Sequence, residues 1–196
     1  MRPWLLAEPP VLPLSPRRGD YDLNPGFERM AVRELAPAAV LVPVVRRADP
    51  TVLFTLRTEH LVRHAGQVSF PGGRLNVDDA SLVITALRET REETGIDAEL
   101  VDVAGFLEAY ETGTGFAILP VIGVIEEGFS LRPNPQEVAA IFEVPLAMFL
   151  DPANCERGTG EWQGRMRTFY AFRYKQHYIW GATAAILVSF RDRLKA

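Results

Sequence analysis

The turn Phe70-Pro71-Gly72-Gly73 and the run Arg88-Glu89-Thr90-Arg91-Glu92-Glu93-Thr94-Gly95-Ile96 constrain this chain more than any other feature. Pro71 and the paired glycines make a turn that no helix holds, with no glycine side chain to keep a ligand off the backbone. Residues 79 to 94 then carry helical periodicity and end at Gly95, well placed as a left-handed terminator. At about 100° per residue, Glu89, Glu92 and Glu93 fall within one arc of about 100°, while Val83, Leu87, Thr90 and Thr94 share the next. One stripe faces a core and its neighbour is acid. Like charges three and four residues apart repel by about 0.2–0.5 kcal/mol per pair, and the macrodipole near a helix C-terminus adds to that cost. Arg88 and Arg91 offset part of it. A solvated face is the plainer reading of an acidic stripe. The glycine pair favours a hard divalent ion, Mg²⁺ or Mn²⁺, which takes oxygen ligands and keeps positions for water and phosphate.

Composition sets the class of fold and of partner. With 196 residues, 47% of them hydrophobic and 23% charged, the chain suits one soluble globular domain. Its net charge of −4 argues against nucleic acid or an anionic membrane held by bulk charge, so an anionic ligand must be met by placed groups or a metal. A single Cys155 leaves no internal disulfide and suits a reducing compartment. Pro3, Glu8, Pro9, Pro10, Pro13 and Pro16 interrupt the apolar run a signal peptide needs, so residues 1–35 read as an extended arm packing on a domain of residues 36–196. The apolar runs at 36–45 and 178–190 fall short of the roughly 20 residues that span a bilayer. We therefore expect a cytoplasmic protein with no nucleic-acid or membrane partner.

Residues 38–47 and 51–58, rich in β-branched side chains and separated by Ala48-Asp49-Pro50, read as a strand pair, with Pro43 marking an edge or a bulge. Past Gly95, residues 99–110 and 115–125 read as two further strands. Residues 137–150 read as a short irregular helical piece, 165–174 as a strand and 181–194 as a closing helix. The expected class is mixed α/β (α+β), with helices on both faces of a sheet.

Over residues 88–96 the sequence resembles the Nudix hydrolases, whose motif runs Gx5Ex7REUxEExGU with U a bulky aliphatic. Arg88, Glu89, Glu92, Glu93, Gly95 and Ile96 match it. Asp79 stands at the first acid position, with eight residues before Arg88 instead of seven, and Thr90 stands where an aliphatic is usual. Upstream, "LFTLRTEHLVRHAGQVSFPGG" is similar to the extra signature of the coenzyme A pyrophosphatase branch, with Thr55, Arg57, Gly66, Phe70, Pro71, Gly72 and Gly73 in place. Thr58 replaces a small residue there, and the second arginine, Arg63, comes one place later than in the signature. Residues 134–146 and 178–187 are also similar to that branch.

The resemblance implies a Nudix-like α/β/α sandwich with a central mixed sheet. It implies hydrolysis of the coenzyme A pyrophosphate to 3′,5′-ADP and 4′-phosphopantetheine with Mg²⁺ or Mn²⁺. Glu89 and Glu93 are the main expected ligands, Glu92 and the Gly73 carbonyl complete the set, and Arg88 orients the carboxylates. The base is one of the helix glutamates, such as Glu92, or an acid from a later loop, Glu111 or Glu137. Expected substrate contacts are Arg57, His64, Gly66, Gln67, Phe70 and Gly72. His60 and His64 have helical spacing but lack the glutamate of a zinc helix, so they read as surface or loop-bracing side chains. Tyr178 and Trp180 read as core or interface aromatics. Two other readings use the same motif: a Nudix enzyme acting on ADP-ribose or dinucleoside polyphosphates, and a nucleotide-binding module without catalysis.

Overall fold

The computed structural model describes residues 5–60 and 65–195. In chain order the strands and helices are β1 (Arg18–Gly19), β2 (Ala36–Arg46), β3 (Thr51–Arg57), β4 (Val68–Ser69), β5 (Gly72–Arg74), α1 (Leu82–Thr94), β6 (Val101–Phe106), β7 (Tyr110–Glu111), β8 (Phe116–Glu126), β9 (Val138–Pro145), α2 (Leu146–Leu150), β10 (Cys155–Trp162), β11 (Arg165–Tyr174), β12 (His177–Trp180) and α3 (Ala182–Lys195).

The β-branched strand β2 is the spine. It runs parallel to β8 from Ala36↔Phe116 to Arg46↔Glu126, and its other edge is shared by β5, at Ala38–Val40, and β3, at Val44–Val45. The principal path of this sheet is β1-β7-β8-β2-β3-β4, with β6 added on β8 and β9 on β3. Strand alternation sends Ala39 and Leu41 to one face and Val42 to the other. Leu82 and Ala86 of α1 cover the first face with Leu119 and Val121. Ala184, Ile186 and Leu187 of α3 cover the second with Val52, Phe54 and Ile122. Each large apolar side chain fully buried here contributes about 1.5–3 kcal/mol. The chain is thus the mixed α/β fold expected, with helices on both faces.

Three local expectations change. Pro43 lies in a central strand, not at an edge or bulge. Leu41 N donates to Pro71 O at 2.9 Å, so Pro43, two residues on, aims its missing N–H at the gap where β2 passes from β5 to β3. Residues 138–145 are a strand antiparallel to β3, with only 146–150 helical, because pairing with a neighbour overrides a weak local preference. A second, three-stranded sheet, β10-β11-β12, includes two strands that the linear pattern did not reveal. Along the arm, Leu5 and Leu14 are buried and Arg18–Gly19 pairs with Tyr110–Glu111. Among the described residues no helix is long and apolar enough to cross a membrane.

Candidate active site

Helix α1 starts at Leu82, not 79. Ser81 caps it by accepting from Ile84 N at 3.3 Å, and Gly95 ends it at φ 78° with its N–H on Arg91 O. Its buried residues include Thr90 and Thr94, whose hydroxyls donate to Ala86 O at 2.7 Å and Thr90 O at 2.6 Å. A threonine thus fits the core at position 90 by bonding its hydroxyl back to the helix. Val83 and Leu87, expected in the core, are half-buried. Burial also divides the three glutamates: Glu93 is 2% exposed, Glu89 is half-buried and Glu92 is exposed.

Arg88 ties this cluster together. Its Nε and Nη2 donate to the two oxygens of Asp79 at 2.9 Å, and its Nη1 donates to Glu89 at 2.9 Å and Glu92 at 3.0 Å. Asp79 also accepts from Asn76 N and Thr85 Oγ1. Arg88 foremost, with these other donors, holds the Asp79 carboxyl well below the usual carboxylate range. Asp79 is therefore the anchor of Arg88, and Arg88 orients Glu89 and Glu92.

Glu93 faces Arg57. Its Oε1 lies 3.9 Å from Arg57 Nη1, the Gly72 N–H donates to its carboxylate, and burial pushes its carboxyl up to about 8. Glu89 and Glu137 push in the same direction, while Arg57 and the Gly72 N–H oppose it. Glu93 Oε2 and Arg57 Nε are buried with no hydrogen-bond partner. A buried carboxylate oxygen and a buried guanidinium N–H are both costly to leave unpaired, and the pair fits a cation at the first and an anion at the second. Burial also raises the carboxyl of Glu89. A Cβ at position 73 would occupy the space of the Glu89 carboxylate, so Gly73 is what lets acid and backbone meet.

The loop after β8 brings one further acid. Arg132 N donates to Thr94 O at 2.7 Å and Asn134 N to Glu93 O at 3.1 Å, docking the loop on the carbonyl end of α1. Thr58 N then donates to Glu137 O at 3.0 Å, which ties Glu137 beside the end of β3. Its carboxylate is close enough to raise both Glu89 and Glu93. Among the described residues no three metal-ligating side chains already stand grouped as a metal site, because Arg88 draws Glu89 and Glu92 and Arg57 faces Glu93. The donor chemistry is all oxygen, and with the unpaired Glu93 oxygen it fits a hard divalent ion.

The model of the NUDIX domain family matches residues 35–162. This chain belongs to the Nudix family. It is 43% identical over 150 residues to "Uncharacterized Nudix hydrolase NudL" from Salmonella paratyphi B, covering 76% of this chain and 78% of that protein. The NudL of Salmonella newport gives the same values. Among solved structures, the MutT/nudix family protein from Enterococcus faecalis aligns over 86% of this chain and 66% of its own, with a TM-score of 0.51 at 16% identity, a likeness of fold. The chain is accordingly a Nudix hydrolase by family, and pyrophosphate hydrolysis is the activity that goes with it.

Within the Nudix frame the remaining sequence-derived residues separate. Arg57, Gln67, Phe70, Gly72 and Gly73 line one cleft of about 440 Å³. Phe70 is buried and stacks on Phe54 with centroids 5.2 Å apart, so it is a packing residue under the cleft. Gln67 offers its carbonyl to Arg57 N at 3.0 Å. Gly66 sits in the preceding turn at φ 66°. His64 lies outside the described residues, and His60 braces the loop through Gln136 O at 3.0 Å. Glu111 does not join the helix acids. Its oxygens receive Met30 N at 2.8 Å and Arg29 Nε at 3.3 Å, so it anchors the arm. The sequence reading missed Arg74, Phe116, Trp162 and Arg167, which line the same cleft, and Trp180, read as a core or interface aromatic, lines it too. Tertiary contact alone assembles this wall, and residues past 162 lie beyond the family match.

Proposed function

We propose that this chain hydrolyses the pyrophosphate of coenzyme A to 3′,5′-ADP and 4′-phosphopantetheine, in the cytoplasm, with Mg²⁺ or Mn²⁺ held by Glu89, Glu93, Glu92 and the Gly73 carbonyl. The observation that carries the reading is the facing of Glu93 and Arg57, each with one buried polar atom left unpaired, where Arg57 also lines a cleft of about 440 Å³. Coenzyme A is favoured over other Nudix substrates by the signature around Arg57 and the glycine turn. The cleft agrees with it: Phe116, Trp162 and Trp180 offer ring faces to a base, and Arg57, Arg74 and Arg167 offer charge to phosphates.

A divalent ion held by Glu89, Glu93, Glu92 and the Gly73 carbonyl would supply charge to neutralise the pyrophosphate and to activate a water nucleophile. Arg57 then holds a phosphate oxygen with its free Nε–H, and Arg88 keeps Glu89 and Glu92 oriented from behind. The water oxygen bonds to phosphorus, the bridging P–O bond breaks, and the water proton passes to a carboxylate. Glu137 is the candidate we favour for that base, since Glu111 is occupied by the arm and Glu92 by Arg88. A panel of coenzyme A, ADP-ribose and diadenosine polyphosphates, each with Mg²⁺ and Mn²⁺ and read by product identity, tests the reading. Highest kcat/KM on coenzyme A with the two named products is expected. A higher value on either alternative, or nucleotide binding without turnover, overturns it.

A further inference from the structure

One part of the cleft wall comes from β10 and β11, through Trp162 and Arg167, and is fastened by the N-terminal arm. Asn24 pairs with the backbone of Thr168 as a strand would, its Nδ2 donating to Thr168 O at 2.9 Å and its Oδ1 accepting Thr168 N at 2.8 Å. Asp20 accepts the Tyr110 hydroxyl at 2.8 Å and Gly113 N at 2.8 Å, and its Oδ2 lies 3.4 Å from Arg167 Nη1. Arg167 in turn lies over the Trp162 ring at 5.3 Å. A Cβ placed on Gly113 would sit 3.3 Å from Asp20 Oδ2, 3.4 Å from Arg167 Nη1 and 3.5 Å from the Trp162 ring. Acid, guanidinium and indole therefore converge at Gly113, and the guanidinium and the indole belong to residues of the cleft wall.

The side chain of Arg167 is 13% exposed, and Asp20 meets only its Nη1. No other protein partner engages its remaining N–H groups among the described residues, none of them is a fully buried orphan, and Arg167 is one of the residues that line the cleft. Asp20 shares its charge among three donors, which leaves Arg167 a net attractor of anions in a protein whose overall charge is −4. Trp162 and Trp180 line the same cleft and supply flat apolar faces of the kind on which bases stack.

We infer that Arg167 reads a phosphomonoester on the nucleoside end of the substrate, and that Asp20 and Asn24 of the arm are its positioning residues. The inference rests on the coenzyme A reading for its substrate, but it concerns a separate contact: a phosphate beyond the scissile pyrophosphate, met by a residue beyond the family match. The arm is then part of substrate selection, since it fixes the angle at which the guanidinium enters the cleft.

The test is binding of 3′,5′-ADP against 5′-AMP to the full chain, followed by calorimetry and by the fluorescence of Trp162 and Trp180. Wild type is expected to prefer 3′,5′-ADP by about tenfold or more, the scale of one charge-assisted contact. Arg167→Ala should bring the ratio to within about twofold, Arg167→Lys should leave it between the two, and Asp20→Asn should lower it with a smaller fall in 5′-AMP affinity. Equal binding of the two ligands by wild type overturns the inference without any variant. A ratio unchanged in folded Arg167→Lys and Arg167→Ala overturns it as well, and an Asp20→Asn protein that loses only melting temperature removes the arm from it. Turnover of coenzyme A, measured alongside, separates the two claims: turnover without a 3′-phosphate preference sinks only this inference, and the preference without turnover sinks only the proposed function.

Discussion

Arg88 holds Asp79 in a two-pronged grip, Nε on Oδ1 and Nη2 on Oδ2, both at 2.9 Å. The carboxylate is nearly buried, and Asn76 N and Thr85 Oγ1 complete its shell. The first acid of the motif thus serves the helix from before its start, by fixing the arginine that steers Glu89 and Glu92. Its carboxylate is occupied by Arg88 on both oxygens, so it braces that arginine.

Asp79→Asn should therefore destabilise the fold by about 1–3 kcal/mol, the cost of losing a charge-assisted pair whose acid side chain is only 3% exposed. The sign with pH follows from the depressed carboxyl. The folded state holds Asp79 ionised more strongly than the unfolded chain does, so its stabilisation is complete above the ordinary value of 3.8 and drains away as the pH falls below it. The gap in unfolding free energy between wild type and Asp79→Asn should be constant at neutral pH and narrow steadily in acid below pH 3.8. A gap that widens in acid would contradict the assignment.

How far the sequence reached is visible in the same residues. The acids of α1, the glycine turn and Gly95 were legible because each is a local rule: charge at helical spacing, a turn without side chains, a left-handed end. The helix start was misplaced by three residues because Asp79 looks like a first-turn acid, whereas Ser81 is the cap and Asp79 folds back onto Arg88. Residues 138–145 read as helical because Ala139 and Ala140 dilute a strand pattern that only β3 completes. The cleft wall was the least legible part. Arg74 over Phe116 and Arg167 over Trp162 join residues 42 and 5 positions apart, and neither spacing carries a period.

Glu93→Gln should separate metal from fold. The buried carboxylate is held against its own desolvation and the charges of Glu89 and Glu137, so a neutral amide should leave the metal-free melting temperature unchanged or slightly higher. The rise in melting temperature that Mg²⁺ or Mn²⁺ gives the wild type should be lost, and turnover should fall by more than about tenfold. Wild-type turnover of the variant at saturating metal would remove Glu93 from the ligand set.

The two glycines of the turn should fail in different ways. A Cβ at Gly72 would drive into the backbone at Val40 Cα, 2.6 Å away, and backbone cannot swing aside. Gly72→Ala should cost about 1–3 kcal/mol by overpacking. At Gly73 the obstacle is the Glu89 carboxylate, a side-chain end that can move. Gly73→Ala should keep most of its stability and lose metal affinity by about ten- to a hundredfold, because the displaced acid no longer meets the backbone. Thermal melts with and without Mn²⁺ distinguish the outcomes, and equal destabilisation of both variants would count against the Gly73–Glu89 pairing as a metal site.

The base is decided by comparing Glu137 with Glu111. Glu137 stands on a loop bonded to the end of α1 and acts on both Glu89 and Glu93, while among the described residues its own carboxylate receives only Asn134 Nδ2, at 3.5 Å. It is available to take a proton. Glu111 is buried with its oxygens committed to Met30 N and Arg29, so its first duty is to hold the arm. Glu137→Gln should lower kcat by about 10²–10⁴ with KM and melting temperature little changed, since an amide keeps the shape and loses the basicity. Glu111→Gln should lower the melting temperature first, as a buried acceptor of a backbone N–H and a guanidinium is weakened. The pH profile gives the sharper readout: removal of the base should abolish the acid limb of kcat in Glu137→Gln, whereas Glu111→Gln should keep the wild-type limb at whatever rate remains. An acid limb that vanishes in Glu111→Gln and persists in Glu137→Gln would exchange the two roles.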